Sequence, residues 1–207
     1  MDPDKPKPSA NETLAAIARR RSVRRFDSRD VDDGLIRALL EAANSAPSAH
    51  NQQSWRFVIV RGERKDRLVS LVAARSAEFP RPASVLLRLA SRTIATAPVV
   101  IAVANSGDLI RHGERLFNLH TGHVHDFFRT MEIQSSAAAV ENLLLAATSL
   151  GLATVWLGIL FLIKDDVLAL LEEPRGEFMA VIPVGYASAA TPAPRKRPLV
   201  MVTKRLD

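Results

Sequence analysis

Residues 131–160 read MEIQSSAAAVENLLLAATSLGLATVWLGIL. From Met131 to Leu150 the apolar positions and small residues suit a long, mostly buried helix. Gly151 follows at the place where a helix usually stops. Thr154, Val155 and Trp156 then switch to strand-formers, and the stretch Thr154–Leu157 is read as a buried strand. The uncharged run Leu143–Ile163 is long enough to tempt a membrane reading. It is set aside because Gly151 and Gly158 interrupt it, its second part is strand-like, and its helix begins upstream among polar residues. A buried helix, a glycine stop and a buried strand account for the whole stretch, and no membrane span is expected.

Working outward, the same grammar repeats. Asn11 caps a short helix with Leu14, Ile17 and Ala18 on one face. Asp32 caps a second, with Leu35, Ile36, Leu39, Leu40 and Ala43 at helical spacing, ended by Pro47. A polar loop leads to a strand at Trp55–Val60. Helices are expected over Glu63–Arg75 and Pro82–Arg92. PVVIAVA at Pro98–Ala104 is a short continuous apolar run, hence another buried strand. Asn105–Thr130, punctuated by Gly107, Gly113 and Gly122, reads as the least regular part. A helix over Lys164–Leu171 and a strand over Phe178–Val184 follow. Ala187–Pro198 is an extended, proline-rich arm, and Leu199–Thr203 reads as a final strand that packs on a partner chain. Strands alternating with helices give an α/β sandwich around one sheet, in the α+β class. Residues 1–10, MDPDKPKPSA, read as a short flexible tail, and 11–207 as one domain.

Composition narrows the function. The chain of 207 residues has no cysteine, which removes disulfides, thiolate chemistry and cysteine-held metal centres, and fits a reducing, cytoplasmic setting. A formal charge of +6 would suit an anionic partner, but the basic residues are scattered and no nucleic-acid module or aromatic platform accompanies them. No nucleic-acid partner is expected.

Two stretches carry chemistry. Arg20, Arg21, Ser22 and Arg24 gather guanidinium groups and a hydroxyl near a helix end, a set suited to phosphate and equally to a solvated basic turn. Residues 46–55, APSAHNQQSW, form a loop of small and amide residues leading into a buried strand. Amides can read the carbonyls and N–H groups of a planar heterocycle, and small residues let the backbone approach it. Taken alone, the stretch is also an ordinary helix–strand connection. His120, His123, His125 and Asp126 fit no helical metal-ligand spacing, so no metal is assigned; substrate contact and plain surface placement both stay open.

Together, RRSVRRF, APSAHNQQSW with RFVIV, ENLLLAATSLGLATVWLG, and VIPVGYA with PAPRKRPL resemble the FMN-dependent nitroreductases, in order over most of residues 15–205. The resemblance implies a nitroreductase-like fold: a central mixed β-sheet flanked by helices, with the C-terminal arm exchanged in a homodimer. It implies FMN as cofactor, NADPH or NADH as electron donor, and nitroaromatic, quinone or similar planar acceptors. It places Arg20, Arg21, Ser22 and Arg24 at the FMN phosphate, ribityl chain and pyrimidine edge. Pro47, Ser48, Ala49 and Asn51 match the loop lent by the second subunit. Trp156, Leu157, Gly158 and Ile159 match the strand end facing the flavin ring, with a backbone N–H near Gly158 or Ile159 on flavin N5. Arg195 and Arg197 match a basic pair that returns to the phosphate. The His120–Asp126 stretch corresponds to one that often forms a lid. Since the chemistry resides on the flavin, no catalytic side chain is expected. Relatives of the same fold that fragment flavin, dehalogenate or act on deazaflavin precursors, and a flavin-binding protein without turnover, are the alternatives. The chain departs from the pattern at Ser54, where proline is frequent, and at the apolar Leu157-Gly158-Ile159, where an acidic residue commonly precedes the glycine.

Overall fold

A computed structural model describes residues 11–117, 122–173 and 175–206. The tail expected over residues 1–10 lies outside the described residues. The elements, in chain order, are α1 (Glu12–Arg19), α2 (Asp33–Asn44), β1 (Trp55–Val60), α3 (Gly62–Arg75), α4 (Ala83–Thr96), β2 (Val99–Asn105), α5 (Asp108–Phe117), α6 (Gly122–Ser149), β3 (Ala153–Thr154), α7 (Lys164–Leu170) and β4 (Glu177–Gly185).

The sheet order is β1-β2-β4-β3, every neighbouring pair antiparallel. The mixed character expected of the sheet is limited to one parallel bridge, Ser22 to Thr154, beside β3. β2 is central, and its period of two explains why its sequence is apolar throughout. Val99, Ile101 and Val103 face a core shared with α2 and α6, where Leu39 and Leu143 are fully buried. Val100, Ala102 and Ala104 face the opposite core, shared with α3, α4 and α7, where Leu68, Leu87 and Val167 are buried. A strand covered on both faces has no polar side to present. The result is a three-layer sandwich, as the alternation of elements implies.

The two predicted caps are present. The Asn11 side chain accepts the Leu14 N–H at 3.1 Å, and the Asp32 side chain accepts the Gly34 N–H at 2.7 Å, each satisfying a donor that the helix itself leaves open. The face of α1 that carries Leu14 and Ile17 is nonetheless exposed, and Ala16 is the residue that turns inward.

Three expectations need correction. The segment expected to be irregular is helical: α5 occupies Asp108–Phe117, and α6 begins at Gly122 and runs for 28 residues. Gly113, read as a break, is a packing contact, because a Cβ there would lie 2.0 Å from the Phe128 ring. The strand expected over Thr154–Leu157 pairs only at Ala153–Thr154. Beyond it a single bond, Leu157 N–H to the Val181 carbonyl at 2.9 Å, ties the chain to β4 before a 3₁₀ run at Gly158–Ile163. The final strand expected at Leu199–Thr203 is a 3₁₀ turn at Leu199–Met201. Among the described residues no strand lies beside it to form a ladder. No helix among the described residues is long and apolar enough to cross a membrane.

Candidate functional site

The basic segment after α1 is woven between two parts of the sheet's edge. The Val23 N–H donates to the Thr154 carbonyl at 2.9 Å, the Asp27 N–H to the Tyr186 carbonyl at 2.9 Å, and the Ser188 N–H to the Arg25 carbonyl at 3.1 Å. Val23 and Phe26 point inward onto Ala97 and Ala153. Ser22 and Arg24, on either side of Val23, are both exposed. Arg24 borders a cavity of about 180 Å³ whose other walls are Trp156 to Ile159 and the α4 residues Leu86, Leu89 and Thr93. A second cavity, about 290 Å³, lies along Ser22–Arg25 and the first residues of the arm, Ser188–Thr191.

Around the first cavity Leu157 is buried and Trp156 is turned out, 37% exposed. The amides of Gly158 and Ile159 stand at the head of the 3₁₀ run, where the run offers them no carbonyl. A side chain at Gly158 would meet nothing nearer than the Trp156 ring at 3.8 Å, so this edge is open. Open amides, an indole and an outward guanidinium beside one cavity suit a planar heterocycle bearing an anionic group. Among the neighbouring arginines, Arg20 lies 3.7 Å from the Glu141 carboxylate. Arg21 donates to the Ala18 carbonyl at 2.7 Å and to the Arg20 carbonyl at 2.8 Å.

The loop containing Pro47, Ser48, Ala49 and Asn51 lines neither of these cavities. The Ala49 N–H donates to Ser135 Oγ on α6 at 3.1 Å, and the Gln53 N–H to Ser48 Oγ at 3.1 Å. His50, Asn51 and Gln53 all hold positive φ, at 52°, 52° and 48°. Three non-glycine residues in the left-handed region are costly, and such strain concentrates at sites where function fixes the backbone. Arg195 and Arg197 are exposed on the arm. Thus one chain gathers Arg24 with Trp156, Leu157, Gly158 and Ile159, brings Ser22 alongside, and leaves the 47–51 loop and the arm's arginines elsewhere.

The histidine stretch divides. His120 lies outside the described residues. His123 and His125 are exposed at the start of α6, and no group of three or more potential metal ligands occurs among the described residues. His50 and His112 face one another across the loop and α5, ring nitrogens 3.3 Å apart.

Sequence reasoning missed the α4 wall. Its signal was present: Leu86 and Leu89 form an apolar pair outside the buried stripe of Leu87, Ala90 and Ile94, and each is 46% exposed. An apolar stripe left over after the core is filled marks a surface with another use.

The Nitroreductase family model matches residues 17–186. The chain belongs to the nitroreductase family. Its relatives include a Methanothermobacter thermautotrophicus protein whose name pairs NADH dehydrogenase with NAD(P)H nitroreductase, 30% identical over 184 residues covering 87% of this chain and 80% of the relative. The 5,6-dimethylbenzimidazole synthase of Rhodospirillum rubrum is 28% identical over 206 residues, covering 96% and 93%. Among solved structures, one from Desulfovibrio desulfuricans in complex with FMN superimposes with a TM-score of 0.71 at 29% identity, covering 95% of this chain and 98% of that one.

Proposed function

We propose that this nitroreductase-family chain is an NAD(P)H-dependent FMN oxidoreductase that works as a homodimer on nitroaromatic, quinone or similar planar acceptors. The observation that carries the reading is the single cavity bordered by Arg24, Trp156 and the open amides of Gly158 and Ile159. FMN, when bound, supplies hydride chemistry at its N5. The residues of the chain do the rest. Arg20, Arg21, Ser22 and Arg24 hold the phosphate, the ribityl chain and the pyrimidine edge, and Arg195 and Arg197 of the arm return to the phosphate. An amide of Gly158 or Ile159 donates to N5 and fixes its orientation. Trp156, with Leu86 and Leu89, excludes water from one side. Pro47, Ser48, Ala49 and Asn51 complete the site from the second subunit, which is why they stand apart from the cavity in one chain. The surplus of positive charge favours a phosphorylated donor, NADPH over NADH.

A second reading keeps FMN and changes the reaction. The Rhodospirillum rubrum synthase matches nearly the whole length of both chains, and the chain would then be a specialised relative without steady nicotinamide turnover. One experiment separates the two. The visible spectrum of the purified protein is recorded, and NADPH is added without oxygen. A flavin spectrum that bleaches, and recovers when a nitro compound or quinone is added, supports the proposed activity. Flavin that NADPH and NADH leave oxidised supports the specialised relative. Protein that takes up no FMN overturns both.

A further inference from the structure

Four polar side chains are buried where the ends of β1 and β2 meet α5 and α6: Ser54, Asn105, Glu132 and Ser136. Their contacts form a junction. The Leu109 N–H, in the first turn of α5, is shared between Ser54 Oγ at 3.1 Å and Glu132 Oε1 at 3.2 Å. Ser54 and Glu132 thus converge on one amide. The Ser54 carbonyl accepts the Ser106 N–H at 2.8 Å, just ahead of α5. One helical turn beyond Glu132, the Ser136 hydroxyl bonds the Asn105 side chain.

Glu132 has no solvent exposure, and its second oxygen, Oε2, has no hydrogen-bond partner. Among the described residues no cation pairs with it. The charged groups that bear on it are Asp108 of α5 and Glu177 of β4, both of its own sign and already paired, to Arg111 and Arg129. An ionised carboxylate there would be a buried charge without compensation. Burial, the largest cause, pushes the carboxyl above the ordinary carboxylate range; Ser54 and the Leu109 N–H pull the other way, and Glu177 and Asp108 add to the upward push.

We propose that Glu132, as a neutral carboxylic acid, acts with Ser54 as a positioning residue that fastens the start of α5 to the loop at 48–54. The same loop and helix meet again one turn later, at His50 and His112. Leu109 and His112 are three residues apart and share a helix face. On the same helix, Gly113 lies against the Phe128 ring of α6 with no room for a side chain. Loop and helix thus form one wall, held inside by a carboxyl–hydroxyl–amide junction and outside by an imidazole pair. The strained backbone at His50, Asn51 and Gln53 is anchored by this wall. Ser54 stands where the resemblance leads one to expect proline, and proline would carry no hydroxyl for the Leu109 N–H. The inference goes beyond the proposed activity, since it concerns how this chain holds its own loop whether or not FMN binds.

The test is amide hydrogen exchange on the full-length protein as purified, read at residues 109–113 for wild type, Ser54→Ala, Glu132→Gln and Glu132→Ala. Exchange faster on the order of ten-fold or more at 109–113 in Ser54→Ala and Glu132→Ala, with β2 and β4 unchanged, is expected. Glu132→Gln keeps the shape and the acceptor for Leu109 without ionising, so it retains wild-type protection. As pH rises, wild-type protection at 109–113 falls faster than the ordinary base-catalysed trend, whereas Glu132→Gln follows that trend alone. Unchanged protection in Ser54→Ala overturns the junction, and this small substitution stays informative should Glu132→Ala fail to fold. Glu132→Gln loosened as much as Glu132→Ala overturns the neutral-acid role. Flavin absorbance on the same samples reports separately on the proposed function. A flavin-free protein with this exchange pattern would retain the junction and lose only the cofactor reading.

Discussion

Strand β2 and the Leu199–Val202 stretch that ends the C-terminal arm are both apolar runs, and the fold treats them in opposite ways. Every residue of Val99–Asn105 is buried, shielded on one face by α2 and α6 and on the other by α3 and α4. In the arm, Leu199, Val200 and Leu206 are 77%, 82% and 83% exposed. Apolar patterning states that a segment gains from leaving water; it does not state what covers it. For β2 the cover is in the same chain. For the arm no cover is found among the described residues, and the proposed exchange in a homodimer is the arrangement that would supply it.

The largest effect separating the two regions concerns charge. Arg195→Ala with Arg197→Ala is expected to weaken FMN binding by about 1.5–3 kcal/mol for each charge-assisted hydrogen bond removed. The urea midpoint of the flavin-free chain should not move. A fluorescence titration with FMN measures the first quantity. Unaltered FMN affinity would break the assignment of the arm to the phosphate.

Next in size is the core. Ile101 has no exposure and sits in the central strand. Ile101→Ala is expected to cost about 2–5 kcal/mol in urea unfolding, the range for deleting a large buried aliphatic side chain. Because the cover is internal, the loss should be independent of protein concentration. A loss that shrinks as the protein is concentrated would show that the sheet also depends on the partner.

Legibility in the sequence followed the same division. Local signals located the strands at Trp55, Val99 and Phe178, the caps at Asn11 and Asp32, and the stop at Gly151, since each is set by residues within a few positions. The cavity was legible only through resemblance. Nothing local tells that Arg24 and Trp156 meet, because the Val23–Thr154 bond that brings them together closes over more than a hundred residues of chain. Gly113 misled because a glycine pressed against an aromatic ring and a glycine that ends a helix have the same letter. The Ser54–Glu132 junction left no periodic trace either. Within a helix pattern a glutamate reads as solvent-facing, and only the packing of α5 across α6 buries it.

That junction predicts a smaller, pH-dependent effect. Glu132 is held above its ordinary value of 4.5, so between the ordinary and the raised value the folded chain keeps a proton that the unfolded chain has released. Its contribution is fully present below the ordinary carboxylate range and is lost as pH climbs through the raised value. Asp108 works in the opposite sense. The Ser106 hydroxyl and Arg111 hold it low, so its contribution is lost as pH falls. Thermal unfolding of wild type against Glu132→Gln from mildly acid to mildly alkaline pH should show the wild type declining relative to the variant as pH rises. Parallel curves would mean that Glu132 is ionised in the fold.

The smallest expected effect is the one that tests the comparison most directly. Leu199→Ala removes a side chain that its own chain leaves in water, so the stability of an isolated chain should stay within about 0.5 kcal/mol. If a second copy covers Leu199, the cost reappears in association. Sedimentation of wild type and variant over a dilution series would then show the variant dissociating at higher concentration, and its melting temperature would depend more steeply on concentration, as mass action requires. A variant that matches wild type at every dilution would leave Leu199 a solvent-exposed residue of an arm with no partner. The homodimer would then have to rest on other surfaces, such as the exposed face of Leu14 and Ile17 on α1. The core cannot give this discrimination, because a residue buried by its own chain loses the same energy at any concentration.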